Sequence, residues 1–162
     1  IFDLNYNQLE ILVHPKSYVH ALVKFTNGLT KVLIHDTNMT IPIFNSLYSN
    51  FEKKIKSKKL DLSIINNLNF KKIDLKKFPV VKILKNLPHN NSLYETVIVA
   101  ANDKLVDMFL KNKIKFLDIS RILLKLINTK EFKKYKKISP RNVTQIEQLS
   151  DYVSLKIQSL DV

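Results

Sequence analysis

Four histidines are the first side chains in this sequence that could take part in chemistry. They are His14, His20, His35 and His89. A metal site would need several of them to converge with carboxylates, and their spacing gives no such set. We therefore favour histidines that lie on strand faces or in turns with satisfied hydrogen bonds. The alternative is a sheet rim that meets a ligand, because His14 and His20 share a segment with Ser17.

The carboxylates that could act as acid–base pairs are aspartates scattered along the chain. The candidates are Asp36, Asp61, Asp103, Asp107 and Asp118. Asp103 and Asp107 stand one helical turn apart, so they would share a helix face and could bridge a divalent ion. The favoured interpretation is the solvated edge of an otherwise apolar helix. No self-sufficient active site follows from residue spacing alone.

The composition excludes several classes of site. The 162 residues contain no cysteine, which excludes disulfides, thiolate nucleophiles and zinc–thiolate centres. The single glycine, Gly28, excludes both a dinucleotide-binding fingerprint and a phosphate-binding loop, since each needs more than one glycine. The formal net charge of +13 comes almost entirely from lysine, and an AT-rich coding sequence explains that excess better than a nucleic-acid partner does.

The chain shows no membrane or export signal. No apolar run reaches the roughly 18 residues that a membrane helix requires, and no signal peptide is recognisable, so we expect a soluble protein without a membrane partner. The first residue is Ile1 rather than methionine. We therefore expect that residues are missing before it.

Three segments in the first third of the chain alternate in the manner of strands. They are Leu9–His14, Tyr18–Phe25 and Leu29–His35. Asn27-Gly28 between the second and third is a strong hairpin signal, since both positions tolerate a positive φ. We expect an antiparallel hairpin, with Leu9–His14 in the same sheet. One face of its first strand would carry Val19, Ala21, Val23 and Phe25.

From Thr40 the apolar period becomes that of a helix. Pro42 suits a first helical turn. Apolar residues recur at helical spacing at Ile41, Phe44, Leu47, Tyr48 and Phe51. The lysine-rich segment Glu52–Lys59 follows, and we interpret it as a solvated loop or helix end rather than a polyanion footprint.

Beyond about Lys71 the pattern predicts helices only. The expected helices are Asp74–Leu87, Ser92–Lys111, one capped by Asp118, and one beginning with a capping box at Thr144 and Glu147. The basic stretch Lys130–Lys137 is predicted to be a linker. Helices that cannot bury their apolar stripes alone imply a bundle. The expected fold class is therefore α+β, a short antiparallel or mixed β-sheet segment followed by a C-terminal α-helical bundle, divided into residues 1–70 and 71–162.

Several strings in this sequence resemble those of one enzyme family. Glu10–Phe25 (EILVHPKSYVHALVKF), followed by Asn27-Gly28, resembles I-H-P-Q-S-x-x-H-S-x-V of the 1-deoxy-D-xylulose 5-phosphate reductoisomerases. Further strings follow in the family's order. They are Asn38-Met39-x-x-Pro42-Ile43 for P-D-M-x-x-P-I, Lys59-Leu60-Asp61-Leu62 for K-P-L-D, Phe78-Pro79-Val80-Val81-Lys82 for F-P-C-L-K, Ala100-Ala101-Asn102-Asp103 for N-A-A-N-E, and Ile114–Ile119 (IKFLDI) for I-R-F-T-D-I. The resemblance covers the chain to about Thr129.

The resemblance implies an enzyme that uses NADPH and a divalent metal, Mg²⁺ or Mn²⁺, in non-mevalonate isoprenoid biosynthesis. Such enzymes convert 1-deoxy-D-xylulose 5-phosphate to 2-C-methyl-D-erythritol 4-phosphate. Residues 1–70 would be the end of a catalytic domain that forms a homodimer through its sheet, and residues 71–162 would be the helical domain. The NADPH-binding domain and the metal ligands would lie upstream, so we expect this fragment to be inactive alone.

By resemblance, two residues lie at the active site, although neither performs the chemistry. His20 matches the second histidine of the family segment, near the active site, and Met39 matches a methionine that packs near the nicotinamide ring. No catalytic or metal-binding residue is expected in this fragment itself. The sequence departs from the family at Lys16, Thr37-Asn38, Val99 and Asp103, where the family has Gln, Pro-Asp, Asn and Glu.

Two other kinds of protein are compatible with the sequence. One is a basic module that binds a polyanion such as nucleic acid through Lys53–Lys59 and Lys130–Lys137. The other is a structural subunit that keeps a dimer surface without chemistry. Because the resembling family occurs in bacterial cytoplasm and in plastids, we expect a bacterial cytoplasmic protein, with a plastid as the alternative compartment.

Overall fold

The computed structural model describes residues 4–48, 53–59 and 61–160, which fall into two compact units. The sheet unit comprises residues 11–73, and the helical unit comprises residues 4–10 and 74–160. Residues 4–10 thus group with the helices, whereas the sequence division placed every residue before 71 with the strands. Phe51, Glu52 and Leu60, which belong to predicted segments, lie outside the described residues. The elements have the expected α+β class.

The described strands of the sheet unit form two separate antiparallel pairs. The strands are β1 (Leu12–Val13), β2 (Val19–Lys24), β3 (Thr30–Ile34) and β4 (Lys71–Lys72). β1 pairs with β4, and β2 pairs with β3. The prediction that Leu9–His14 would join the hairpin sheet is therefore wrong. Its partner strand β4 consists of two lysines, a residue type that is depleted in strands, so the sequence carried no signal for this pairing.

The predicted hairpin of β2 and β3 is confirmed. Gly28 has a φ of 87°, and its N–H donates to the Phe25 carbonyl oxygen at 3.1 Å. The Asn27 side chain accepts the Leu29 N–H at 3.1 Å. Glycine adopts this left-handed backbone conformation without the steric cost that a Cβ would add. The Asn-Gly pair therefore closes the hairpin where the sequence predicted it.

Two short helices complete the sheet unit. α1 (Thr40–Leu47) carries Pro42 in its first turn, as predicted. α2 (Leu62–Asn66) is capped by Asp61, which accepts the Ser63 hydroxyl at 2.6 Å and the Ser63 N–H at 2.9 Å. These two bonds hold the pKa of Asp61 below its usual value. Residues 53–59 form neither helix nor strand and their lysines are exposed, which fits a solvated loop.

The helical unit is organised around one long central helix. Its described elements are 3-10 helices at Tyr6–Gln8, Pro79–Asn86 and Lys134–Lys137, and the helices α3 (Leu93–Leu110), α4 (Phe116–Ile127), α5 (Lys130–Lys133) and α6 (Val143–Gln158). α4, α5 and α6 all contact α3. Val97, Ala101 and Leu105 of α3 are 0% exposed, as expected for a helix buried on most sides. Within the described residues, no helix is both long and apolar enough to cross a membrane.

Two helix starts differ from the predicted ones. α4 begins after Lys115, and Asp118 lies in its first turn rather than at the cap, where its carboxylate accepts the Lys115 N–H at 2.9 Å. Asn142, not Thr144, caps α6 and accepts the Gln145 N–H at 2.8 Å. Each helix start still satisfies an N–H with a side chain, because any nearby polar residue of suitable geometry can supply the acceptor.

The segment predicted as a helix from Asp74 to Leu87 is a turn followed by the 3-10 helix Pro79–Asn86. Phe78 has φ −122° and ψ 66°, outside the helical region. The residue before a proline is sterically disfavoured in the α conformation, so a continuous helix cannot pass through Phe78. The predicted helix is therefore wrong in its type and its start.

The prediction of a linker at Lys130–Lys137 is also wrong. The segment contains α5 and a 3-10 helix, and Phe132 is 1% exposed in the core. Lys136 donates to the Asn86 carbonyl oxygen at 3.0 Å and lies over the Tyr94 ring at 4.8 Å. One buried aromatic side chain thus holds an otherwise basic segment against the bundle.

We predict that Asp118→Ala destabilises the protein at neutral pH but not in acid. The Lys115 N–H, and then the Arg121 guanidinium at 2.6 Å, hold the pKa of Asp118 below its usual value of 3.8. A carboxyl group with a lowered folded-state pKa contributes stability above its unfolded pKa, and loses that contribution as the pH falls through the folded pKa. The variant should therefore melt below the parent at neutral pH, and the two melting temperatures should converge as the pH falls below 3.8.

Asp103→Ala is the matched control for this measurement, because Asp103 is an exposed helical aspartate. Its melting temperature should stay close to that of the parent across the same pH range. A difference for Asp118→Ala that persists in acid would show that packing, rather than the ionised carboxylate, causes the loss.

Candidate functional site

A tight turn of residues 14–18 joins β1 to β2. The Ser17 N–H donates to the His14 carbonyl oxygen at 2.9 Å, and Ser17 has a φ of 51°. A positive φ costs a residue with a Cβ on the order of 1 kcal/mol, and such residues concentrate at sites where the surrounding structure imposes them. The turn leaves Ser17 exposed directly before β2.

The His14 imidazole lies inside this turn. Its Nδ1 accepts the Tyr18 N–H at 2.9 Å and lies 3.4 Å from the Val19 nitrogen, whose N–H also points to it. The ring packs against Phe70, with the ring centroids 5.7 Å apart. His14 is only 9% exposed. This histidine therefore has the satisfied hydrogen bonds that the sequence interpretation favoured.

His20 lies at an irregularity in the hairpin. Val19 faces Ile34 and Ala21 faces Leu33, so His20 is the extra residue of a β-bulge. The expected alternation of Val19 and Ala21 along one face is interrupted here. Bulges bend a strand and redirect a side chain, and they are frequent next to active sites.

The His20 ring stacks on the His35 ring. Their centroids are 3.6 Å apart and their planes differ by 4°. His20 Nε2 lies 3.3 Å from the His35 carbonyl oxygen, which places a donor hydrogen on Nε2 and leaves Nδ1 as an acceptor. His20 is exposed. The stacked pair can therefore present an imidazole of fixed orientation to a ligand.

The loop from β3 to α1 carries Met39. Asp36 accepts the Thr37 N–H at 2.9 Å, and Asn38 accepts the Thr40 N–H at 3.0 Å. Met39 is 62% exposed. The Asn38 side chain thus satisfies the start of α1 although Thr37-Asn38 replaces the Pro-Asp of the resembling family. An exposed thioether at a helix start is suited to an apolar contact with a planar ring.

The remaining sequence candidates do not join this group. His89 and Asp103 are exposed residues of the helical unit. Asp107 pairs with Lys111 at 2.8 Å and Lys104 at 3.7 Å, and the Lys111 hydrogen bond holds its pKa below the usual value. These pairings favour the solvated-edge interpretation over a shared divalent ion. In the described part of the chain, no three His, Asp or Glu side chains lie together as a metal site would require.

Sequence reasoning missed the contacts that join these residues. The stack of His20 on His35 depends on the hairpin register, and Asn27-Gly28 predicts that hairpin. It also depends on the bulge at His20, which no sequence pattern predicts. The left-handed conformation of Ser17 also had no signal, because serine is not a residue type that favours it. His14 was recognised as a candidate, yet its partners are backbone groups that no motif specifies.

A family model described as the DXP reductoisomerase C-terminal domain matches residues 35–154. The chain therefore belongs to this family. The 1-deoxy-D-xylulose 5-phosphate reductoisomerase of Pelagibacter ubique is 65% identical over all 162 residues, which cover 42% of that relative. The apicoplastic enzyme of the same name from Plasmodium falciparum is 31% identical over 156 residues, 96% of this chain and 32% of the relative. The chain thus spans less than half of these relatives.

Solved structures agree with this assignment. The reductoisomerase of Zymomonas mobilis in complex with NADPH aligns with a TM-score of 0.75 and 25% identity, over 98% of this chain and 42% of that one. A reductoisomerase in complex with NADPH, fosmidomycin and magnesium aligns with a TM-score of 0.81 and 26% identity, over 98% of this chain and 40% of that one. The α+β arrangement of the described residues is therefore shared with these enzymes.

Proposed function

We propose that this chain forms the C-terminal part of a 1-deoxy-D-xylulose 5-phosphate reductoisomerase. The complete enzyme would convert 1-deoxy-D-xylulose 5-phosphate to 2-C-methyl-D-erythritol 4-phosphate with NADPH and Mg²⁺ or Mn²⁺, in non-mevalonate isoprenoid biosynthesis. The observation that carries the proposal is the family match over residues 35–154, reinforced by 65% identity to the Pelagibacter ubique relative.

We assign NADPH binding and metal ligation mainly to the part of the complete enzyme that corresponds to the remaining length of the relatives, outside this chain. One glycine cannot supply a dinucleotide fingerprint, and the described residues hold no cluster of His, Asp and Glu fit for a metal. When bound, NADPH supplies the hydride and the divalent ion polarises the substrate oxygens. The role of this chain is to shape and support the pocket in which these groups act.

Two residues of the sheet unit would face that pocket. His20, held by its stack on His35 and by the bulge in β2, would direct a hydrogen-bonding nitrogen toward the sugar phosphate. Met39 would place its thioether against the nicotinamide ring, a role that its exposure at the start of α1 allows. Neither residue supplies a nucleophile or a metal ligand.

The proposal is tested on the complete gene product, meaning the protein encoded by the whole reading frame to which this chain belongs. We expect it to oxidise NADPH only when both 1-deoxy-D-xylulose 5-phosphate and Mg²⁺ or Mn²⁺ are present. The isolated chain should show no NADPH oxidation under the same conditions. Turnover by the isolated chain, or a complete product that is folded and inactive with this substrate, would refute the proposal.

The role of Met39 predicts a selective loss of cofactor affinity. Met39→Ala in the complete enzyme should raise the KM for NADPH about fivefold, because a sulfur–aromatic contact is worth about 1 kcal/mol. The KM for the sugar phosphate should change less. Ile43→Ala is the matched control, since Ile43 is a 53% exposed apolar residue one turn further along α1. Equal effects of the two substitutions would argue against a contact with the nicotinamide.

We also propose that the enzyme is a homodimer that pairs through the sheet unit. In the described chain β2 and β3 have only each other as partners, so each leaves an unpaired edge. Apolar side chains of the hairpin are exposed, among them Leu22 at 41%, Val32 at 45% and Leu33 at 55%. Such a surface is suited to contact with a second copy.

Oligomeric state measured by sedimentation tests this surface. Leu33→Lys in the complete enzyme should weaken dimerisation about tenfold or more, because it places a charge in an apolar contact. Leu110→Lys, at a 72% exposed leucine of the helical unit, should leave the dimer intact. A monomeric parent, or equal dissociation of both variants, would contradict the assignment.

The alternative of a polyanion-binding module has less support. The segment Lys130–Lys137 is not a free basic tail, because Phe132 is buried and Lys136 is held by Asn86 and Tyr94. The proposed partners do not include nucleic acid or membranes. We assign the protein to the bacterial cytoplasm, in keeping with its bacterial relative, whereas the apicoplastic relative represents the plastid alternative.

A further inference from the structure

His14 is the one buried histidine among the described residues of the sheet unit. Among the described residues of 11–73, only His14 and Tyr18 have buried side chains. A unit with so little apolar burial depends strongly on hydrogen bonds to define its conformation. The contacts of His14 are therefore central to how this unit is arranged.

The geometry of those contacts determines the protonation of the ring. Nδ1 faces two backbone N–H donors, from Tyr18 at 2.9 Å and Val19 at 3.4 Å. A nitrogen that accepts a hydrogen bond must carry a lone pair, so Nδ1 is unprotonated. The ring is consequently the neutral imidazole with its hydrogen on Nε2. In this state no lone pair is left for proton transfer, which separates His14 from a general base.

The two accepted bonds lie between two unusual backbone positions, the left-handed Ser17 and the bulged His20. The Tyr18 N–H follows Ser17, whose φ of 51° must be imposed by its surroundings. The Val19 N–H belongs to the first residue of β2, and the bulged His20 comes next. The same imidazole therefore sets both the left-handed turn and the starting position of the strand that carries His20.

His14 also joins the two sheets of the unit. It follows directly on β1, whose Val13 pairs with Lys71 of β4, and its ring packs on Phe70, the residue before β4. Its Nδ1 bonds reach the start of β2. Displacement of the ring would therefore let the hairpin move relative to the β1–β4 pair within this unit.

We propose that His14 is a positioning residue, a neutral Nε2–H imidazole whose Nδ1 holds Ser17 and His20 in place for the substrate. The tautomer and the hydrogen bonds follow from the contacts of this chain alone. The consequence for turnover rests on the proposed function. The contacts of His14 and their effect on turnover can therefore be tested, and refuted, independently of each other.

Two amide substitutions distinguish positioning from simple packing. The Asn side-chain oxygen lies two bonds beyond Cβ, as His Nδ1 does, whereas the Gln oxygen lies three bonds beyond Cβ, as Nε2 does. His14→Asn can therefore replace the acceptor, and His14→Gln cannot. In the complete enzyme, kcat/KM for the sugar phosphate should be about tenfold lower for His14→Gln than for His14→Asn, the size expected when buried donors lose their acceptor. Hydrogen exchange of residues 14–20, followed by mass spectrometry, should be faster in His14→Gln than in His14→Asn.

The ring itself gives a readout that does not depend on activity. In the unsubstituted complete protein labelled with ¹⁵N-histidine, and assigned by comparison with His14→Asn, the His14 signal should report an unprotonated Nδ1 and a protonated Nε2. A protonated Nδ1, or a Gln variant as active and as protected as the Asn variant, would overturn the proposal. If both variants fail to fold, the His14 signal is assigned instead from its through-space contact with the Phe70 ring, and the tautomer of the parent still decides the proposal. A parent with the expected tautomer but without reductoisomerase activity would refute the proposed function and leave the positioning contacts standing.

Discussion

The burial of α3 is the constraint on which the helical unit depends. This helix is apolar around most of its circumference, so it cannot lie on a surface and must be covered by neighbours. α6 covers it with Val153 and Ile157, both 0% exposed, and α4 contributes Leu123 at 1%. Each such side chain stabilises the fold by about 1.5–3 kcal/mol when it leaves water. The starts and caps of α4 and α6 can therefore differ from the predicted ones without changing the fold, because packing against α3 determines where these helices lie.

The sheet unit follows a different principle. Its hairpin leaves Leu22, Val23 and Leu33 exposed, and among the described residues of the unit only His14 and Tyr18 have buried side chains. The conformation of this unit is defined by the hydrogen bonds of His14 to the turn at Ser17 and to the start of β2, whereas apolar packing defines the helical unit. Under the proposed function this difference is useful, because a pocket needs polar groups in fixed orientations, and such groups are positioned by hydrogen bonds.

The histidines of the sheet unit illustrate how one residue type serves different roles. His14 is buried and uses Nδ1 as an acceptor for backbone groups, whereas His20 is exposed and uses Nε2 toward the His35 carbonyl. Neither arrangement resembles a metal site, in which ring nitrogens converge on one point. The aspartates behave similarly, since Asp107 and Asp118 are engaged by Lys111 and Arg121 at helix surfaces. His14, Asp107 and Asp118 are therefore held by contacts within the folded chain.

The sequence by itself determined what depends on neighbouring residues along the chain. The Asn27-Gly28 hairpin, the place of Pro42 in the first turn of α1, and the apolar stripe of α6 were all predicted, because turn chemistry and helical period are local. The ordered family strings also identified the family before any contact was known. Only the tertiary structure decided that β1 pairs with β4 and that Phe132 anchors a lysine-rich segment. It alone decided the Nδ1 contacts of His14 and the ring stack of His20, because these depend on backbone groups and distant strands whose arrangement no local pattern records.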